Sequence, residues 1–319
     1  MDKTGYERYG LTGNPFRELS SESIDNVEIF HVRQRADDEL QGIIEEVVAK
    51  ENKAIITLLG GLGSGKTERL LMVQVEAQRK GIFLVMRNIT AETRWVVKVV
   101  SEGIIEASKG QKRSLFSSNS WQRRLNKLSK NVPKGYDPEE VGAAIAEALN
   151  KNAPSILMLN DLHVLQRCTD TDNFMETLHS IFDKIDKGVL VMMTSDQGYF
   201  DYLMIGRSSL TSRINKRIVL QPLSGQEACL MIAKRMLPKR VVEDMQALYP
   251  FNDKAVIAMN EHVNGNPREL LKLADRVIEE ASLKRIIQVD EEFVDSVLGA
   301  NPDLPAEEEC KPEAEEAKP

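Results

Sequence analysis

Ile55-Ile56-Thr57-Leu58-Leu59-Gly60-Gly61-Leu62-Gly63-Ser64-Gly65-Lys66-Thr67 is the stretch on which the reading of this chain turns. Ile55 to Leu59 is a short apolar run that stops at glycines, which reads as a buried strand. Gly60 to Thr67 meets the pattern G-x-x-x-x-G-K-[ST]. Glycines let the backbone curl so that successive N–H groups, Ser64 included, point inward at phosphate oxygens. Thr67 to Lys80 reads as a helix ended by Gly81. Its positive dipole end faces the same phosphate charge. In this arrangement Lys66 neutralises the β- and γ-phosphates and the Thr67 hydroxyl is a Mg²⁺ ligand. A mere glycine-rich turn would not need an apolar strand before it and an amphipathic helix after it. The expected ligands are therefore ATP and Mg²⁺, held by Gly60, Gly61, Gly63, Ser64, Gly65, Lys66 and Thr67.

The flanking sequence extends the pattern in both directions. A helix is expected from Ala36 to Lys50, with Leu40, Ile43, Ile44, Val47 and Val48 on one face. Phe83 to Met86 reads as a second strand, and Thr90 as the start of a helix running through Trp95, Val96, Val99 and Ile104. Asp137-Pro138-Glu139-Glu140 is a helix start: a capping aspartate, proline in the first turn, then acids. Ser155 to Leu159 and Val189 to Met193 are further strands, separated by a helix over Phe174 to Ile185, and Ile218 to Leu220 is a last one. Strands alternating with helices at this spacing give an α/β fold, a parallel sheet covered on both faces. After Pro222 the pattern is helical only, and Ser224 with Glu227 forms a capping box at the new start. The expected division is an N-terminal segment 1–29, a P-loop domain 30–222 with a basic insertion 109–134, a small all-α lid domain 223–300, and a disordered acidic tail 301–319.

Composition fits a soluble globular protein: 319 residues, 42% hydrophobic and 29% charged, with a net charge of −7. The first ten residues have no apolar core, and no run reaches the roughly 18 apolar residues of a membrane span, so neither a secretory signal nor membrane attachment is expected. Cys168, Cys229 and Cys310 are scattered, which fits a reducing cytoplasm. The net charge hides two blocks. Asn301 to Pro319 carries seven acids against two bases and four prolines, the composition of a disordered tail. Lys109 to Lys134 carries Lys109, Lys112, Arg113, Arg123, Arg124, Lys127, Lys130 and Lys134 and no acid.

A P-loop enzyme also needs a carboxylate at a neighbouring strand end to hold Mg²⁺ through water, and many need a water-positioning acid beside it. Asn160-Asp161, after the run Ser155 to Leu159, is the candidate. In one register Asn160 takes the metal-side place and Asp161 that of the catalytic acid. Shifted by one, Asp161 is the metal-side acid and the catalytic acid is missing. Either way the pair is incomplete, and hydrolysis is expected to be slow. At the end of the next strand Thr194 is the candidate for orienting the lytic water, with Ser195 as its alternative.

These segments in this order resemble the AAA+ class: phosphate loop, acidic strand end, polar strand end, arginine, helical lid. Within it the chain is similar to the ATPase region of archaeal origin-recognition initiators and to accessory ATPases of the TniB and ExeA type. Tyr9-Gly10-Leu11-Thr12-Gly13-Asn14-Pro15-Phe16 is similar to the ExeA-type start. Phe30-His31-Val32-Arg33-Gln34-Arg35 looks like the stretch these families place against adenine. The resemblance implies that Arg213, in Ser208-Ser209-Leu210-Thr211-Ser212-Arg213-Ile214, is an arginine finger reaching nucleotide bound by a neighbouring subunit, with Arg207 and Arg217 as rivals. It implies that Arg268, in Gly265-Asn266-Pro267-Arg268, contacts nucleotide in its own subunit. It also implies a homo-oligomer or assembly with other AAA+ subunits. Two departures stand out: the altered Asn160-Asp161 pair, and an acidic tail where initiators carry a winged-helix domain.

In the basic insertion Trp121, Leu125 and Leu128 fall at i, i+4 and i+7, a helical apolar stripe. The cations around it suit DNA or RNA phosphates. Packing of a solvated helix on the sheet domain, or a grip on an acidic partner or on the tail, are the alternatives. The functional expectations are an ATP-dependent switch or remodelling ATPase in a DNA transaction, a nucleotide-sensing scaffold with little turnover, and, third, a metabolic kinase or GTPase. No guanine-specific Asn/Thr-Lys-x-Asp motif supports the third.

Overall fold

The computed structural model describes residues 5–17, 26–109, 120–241 and 245–299. Lys112, Arg113, Cys310 and the acidic tail lie outside the described residues. Five strands, β1 (Ala54–Leu59), β2 (Phe83–Asn88), β3 (Ser155–Asn160), β4 (Val189–Ser195) and β5 (Lys216–Val219), form one sheet in the order β2-β3-β4-β1-β5. Every pairing is parallel. Before β1 come α1 (Val27–Phe30) and α2 (Arg35–Val48), and between β1 and β2 comes α3 (Lys66–Arg79). Among the described residues, three helices, α4 (Val96–Lys109), α5 (Ser120–Asn131) and α6 (Pro138–Lys151), separate β2 from β3. α7 (Thr171–Lys184) precedes β4, and α8 (Gln197–Met204) and α9 (Ser208–Thr211) precede β5.

The pleat explains the two cores. Alternate residues point to opposite faces. Ile55, Leu59, Leu157, Leu159, Val191 and Met193 are buried in the cluster that holds Val100, Ile104, Leu125, Ile145 and Leu178 from α4 to α7. Ile56, Leu58, Ile156, Met158, Leu190 and Met192 join Leu40, Ile44, Leu70 and Val73 from α2 and α3. The central strands are buried on both faces, so they read as continuous apolar runs rather than alternating ones.

The structure moves one expected start: α4 begins at Val96, not Thr90. Thr90 closes a turn on Thr93, and the Asp170 carboxylate accepts from the Val96 and Val97 backbone N–H groups at 3.0 and 3.3 Å. The cap comes from a residue 74 positions away, which local sequence does not reveal.

Among the described residues, a second compact unit holds 5–17, 224–241, 245–265 and 270–299, and the sheet unit takes 26–109 and 120–223 together with 266–269. The helical unit contains α10 (Gly225–Met236), α11 (Asp253–His262), all but the first turn of α12 (Pro267–Leu283), and α13 (Glu291–Gly299). Its opening capping box, Ser224 with Glu227, is present. The start of the chain, expected as a separate N-terminal segment, belongs to this unit because its apolar residues are anchors: Tyr9, Leu11 and Phe16 are buried. The Tyr9 hydroxyl donates to the Ile286 carbonyl at 2.7 Å, and Phe16 meets Phe251 edge-on at 6.1 Å. Among the described residues no helix is long and apolar enough to cross a membrane.

Candidate functional site

Parallel pairing puts the ends of β1 to β4 on one edge of the sheet. Asn88 is level with Asn160, and Leu59 with Ser195. The phosphate loop grows from this edge, its first residue tied down by a bond from Gly60 N to the Ser195 carbonyl at 3.2 Å. Gly63 and Gly65 adopt φ of 78° and 89°, which glycine takes without strain. A side chain at Gly63 would also meet Arg268 Cβ and Asn266 Oδ1, both at 2.7 Å. Asn266 caps α12, accepting from Arg268 N at 3.0 Å, and donates to the Leu62 carbonyl at 2.9 Å. One asparagine thus fixes both the loop and the start of the helix carrying Arg268. The motif around Arg268 does not reveal the bond from Asn266 to the loop, because its partner lies 204 positions away.

Lys66 is buried, with Nζ donating to the Gly60 and Gly61 carbonyls at 2.6 and 2.8 Å. Burial pushes its pKa below the ordinary lysine range; Asp161 and Asp196 offset part of that, and Arg268 adds to it. The buried Ser64 hydroxyl has no hydrogen-bond partner among the described residues. Two close-approach glycines, an ammonium at the loop's centre and an orphaned hydroxyl suit a polyphosphate.

Asn160 is the hub beside the loop. It is buried, accepts from the Thr194 hydroxyl at 2.5 Å, and donates toward Asp161 Oδ2 at 3.0 Å, Asn88 Oδ1 at 3.2 Å and Thr67 Oγ1 at 3.4 Å. Its side chain is the one in contact with Thr67, the geometry expected of the metal-side place. Asp161 follows in the left-handed region, φ 64° and ψ 48°, with its N–H donating to Thr194 Oγ1 at 3.0 Å. Aspartate tolerates that region better than most residues. Thr194 is fully buried between the two, and its alternative Ser195 is buried as well, its carbonyl serving Gly60. Thr67, Asn160, Asp161 and Thr194 therefore form one hydrogen-bonded set next to Lys66. Asn88 and Asp196 belong to the same edge and were not singled out from sequence; each stands at a strand end, which is the signal that could have found them.

Arg213 lies elsewhere in the sheet unit. It is paired with Asp183 at the end of α7 and donates to the Ser209 carbonyl. Arg207 pairs with Asp172 at 2.7 Å and Arg217 with Asp201 at 3.0 Å. The partners of all three lie away from the phosphate loop of their own chain.

At the start of α2 a buried ionic network ties the segment after α1 to α3. His31 contacts Glu68 at 2.8 Å and Asp37 at 3.3 Å, and Arg69 contacts Asp37 at 3.2 Å. Burial opposes charge on His31, but the bonds to Asp37 and Glu68 outweigh it and hold the imidazole above its ordinary range. Burial likewise opposes charge on Asp37, and His31 and Arg69 bring its carboxyl below the usual range.

The architecture has solved counterparts. The Aeropyrum pernix ORC1 protein, determined in complex with DNA, superposes with a TM-score of 0.53 at 19% identity over 86% of this chain and 67% of its own. ORC2 of the same organism, determined as ADPNP–ADP complexes, gives 0.55 at 12% identity over 90% and 71%. Cdc6p of Pyrobaculum aerophilum gives 0.51 at 13% identity over 86% and 70%. The fold is of the AAA+ type. No family model matches the sequence. A curated relative, an uncharacterized HTH-type transcriptional regulator of Methanocaldococcus jannaschii, is 22% identical over 257 residues, 76% of this chain. The chain spans 61% of that relative's length. In AAA+ terms, the five-strand sheet with its phosphate loop is the α/β part, and α10 to α13 are the helical part.

In the basic insertion, α5 buries Trp121 and Leu125 against the same core as α4 and α6. Arg124 turns toward α6, 3.7 Å from Glu140 and 3.8 Å from Glu147. Arg123, Lys127 and Lys130 are exposed and, among the described residues, without an ion pair. One side of the helix is packed in the core, and the other presents exposed cations.

Proposed function

We propose that this chain is an ATP-binding AAA+ switch that hydrolyses ATP slowly, in the cytoplasm, in the service of a DNA transaction. The observation that carries the reading is the phosphate loop: two glycines that no side chain could replace without a clash or strain, the buried Lys66 ammonium, and Thr67 within reach of Asn160. Thr67 with Asn160 and Asp161 are the residues that would hold Mg²⁺, which when bound neutralises charge on the β- and γ-phosphates. Asp161 serves as the acid that orients water, and Thr194 holds its backbone in place. Arg213 is assigned to a neighbouring subunit's nucleotide in a homo-oligomer or an assembly with other AAA+ chains; Arg268 is assigned to its own. The DNA direction rests on the exposed Arg123, Lys127 and Lys130, on the ORC1 neighbour solved with DNA, and on the regulator name of the archaeal relative.

Calorimetry with ATP tests the reading. Lys66→Ala is expected to abolish binding; unchanged affinity would remove the phosphate-loop assignment. A second reading, a nucleotide-sensing scaffold with little or no turnover, is favoured by one observation: the β3 end brings an amide, not a charge, against Thr67. ATP bound without measurable hydrolysis, with or without DNA, decides for it.

A further inference from the structure

The amide of Asn160 brings no charge to the site. Its oxygen receives the Thr194 hydroxyl, and its two N–H groups face Asp161 Oδ2 and Asn88 Oδ1 as the nearer acceptors. β3 therefore delivers one carboxylate to the site, that of Asp161. β4 delivers another. Ser195 is level with Leu59 and its carbonyl holds Gly60 N, so the residue after Ser195 stands beside the root of the phosphate loop. That residue is Asp196. Its Oδ1 caps α8 by accepting from Tyr199 N at 3.0 Å, and among the described residues Oδ2 has no hydrogen bond. Asp196 is exposed. The charges acting on Lys66 are Asp161, Asp196 and Arg268. Asp161 and Asp196 are thus the two carboxylates whose charge reaches Lys66, and Arg268 is a cation that does.

We propose that Asp196 sets the nucleotide preference of this site: its carboxylate, beside the phosphate loop, disfavours the γ-phosphate and makes triphosphate binding depend on Mg²⁺ more steeply than diphosphate binding. This rests on the nucleotide reading above. Lys66 addresses the β- and γ-phosphates, so a carboxylate within its electrostatic reach acts on the extra charge of a triphosphate more than on a diphosphate. At separations of several ångström, and between the dielectric of a protein surface and that of water, removing one such charge alters affinity by roughly 3- to 100-fold. Because Asp196 is exposed, the lower part of that range is expected.

Titration calorimetry on the full chain with ADP and with the β,γ-imido analogue of ATP, each in EDTA and in Mg²⁺, tests this. Asp196→Asn keeps an acceptor for Tyr199 N, since asparagine caps about as well as aspartate. Asp196→Ser is a second capping variant. Both are expected to bind the triphosphate analogue roughly 3- to 30-fold more tightly in EDTA, with ADP changed less than about twofold and the difference shrinking in Mg²⁺. Equal shifts for both nucleotides, or none, overturn the proposal while leaving nucleotide binding intact. If the unaltered chain binds neither nucleotide, the phosphate-loop reading falls and the proposal with it. A fall in melting temperature in both variants, with binding lost, would make Asp196 a helix cap only and also overturn it.

Discussion

The Thr194 hydroxyl donates to Asn160 Oδ1 at 2.5 Å while accepting from Asp161 N at 3.0 Å, so one buried threonine joins the end of β4 to both residues at the end of β3. The relationship gives Asn160 and Asp161 distinct jobs. Asn160 points inward at Thr67 and is locked; Asp161 leaves the strand in a left-handed turn and keeps a partly exposed carboxylate.

Substitutions at this pair follow from that geometry. Asn160→Asp puts a second carboxylate 3.0 Å from Asp161 Oδ2, a like-charge contact relieved by a bound cation. Without Mg²⁺ the variant is expected to melt lower, by ~2–4 °C for each kcal/mol lost. With Mg²⁺ its ATP affinity or turnover is expected to rise. Asp161→Ala is expected to leave Mg²⁺-ATP binding intact and stop residual hydrolysis. If Asp161→Ala instead destroys Mg²⁺-ATP binding, Asp161 is the metal-side acid and the register of the pair is shifted by one.

Arg213 is held by Asp183, whose carboxyl the guanidinium keeps below the usual range. Acting on another subunit's nucleotide requires that pair to open. Arg213→Ala is expected to bind ATP normally and to lose hydrolysis alone, then regain part of it when mixed with Lys66→Ala subunits. Asp183→Asn is expected to leave affinity unchanged and not to lower turnover. A mixture with no regained activity, in a protein that stays monomeric with every nucleotide, points to the scaffold reading.

The His31 network predicts a pH dependence of stability. His31 has a raised pKa, so its contribution is complete below the unfolded value of about 6.5 and is lost as pH rises through the higher folded value. Asp37 has a lowered pKa, so its contribution is present above about 3.8 and is lost as pH falls through the lower folded value. The urea midpoint is therefore expected to fall between about pH 6.5 and the alkaline side, and the fall to vanish in His31→Gln. An identical slope in the variant would assign it to other groups.

Much of this was legible in the chain itself. Period and glycine spacing placed all five strands, the phosphate loop and the capping box at Ser224, because each is set by neighbours within a few residues. What depends on distant partners was not. The α4 start is fixed by Asp170, the N-terminal aromatic residues find their places against the chain after Ser224, and Glu140 and Glu147 engage Arg124, one of the four cations on α5. The contact of Asn160 with Thr67 joins side chains 93 positions apart, and local sequence does not reveal it.

The last prediction concerns α5, which decides what the protein serves. Arg123, Lys127 and Lys130 lie at i, i+4 and i+7, one face of a helix, spaced ~6 and ~10 Å along its axis. The opposite face is fixed in the core by Trp121 and Leu125, so on binding the helix backbone needs no ordering and only the three long side chains do. Affinity for duplex DNA is expected to fall with salt at a log–log slope of roughly −0.9 for each phosphate neutralised. Arg123→Glu with Lys127→Glu should weaken binding similarly for all sequences and flatten the slope by about 2. Phosphate contacts position a protein without reading bases, so little sequence preference is expected from this helix. Arg124→Ala, which removes a cation already facing two carboxylates, should change the slope least. Should Arg124 matter as much as Arg123, the stripe is not the binding face; should the protein fail to bind DNA or RNA at low salt with and without ATP, α5 is a packing helix and the scaffold reading takes precedence.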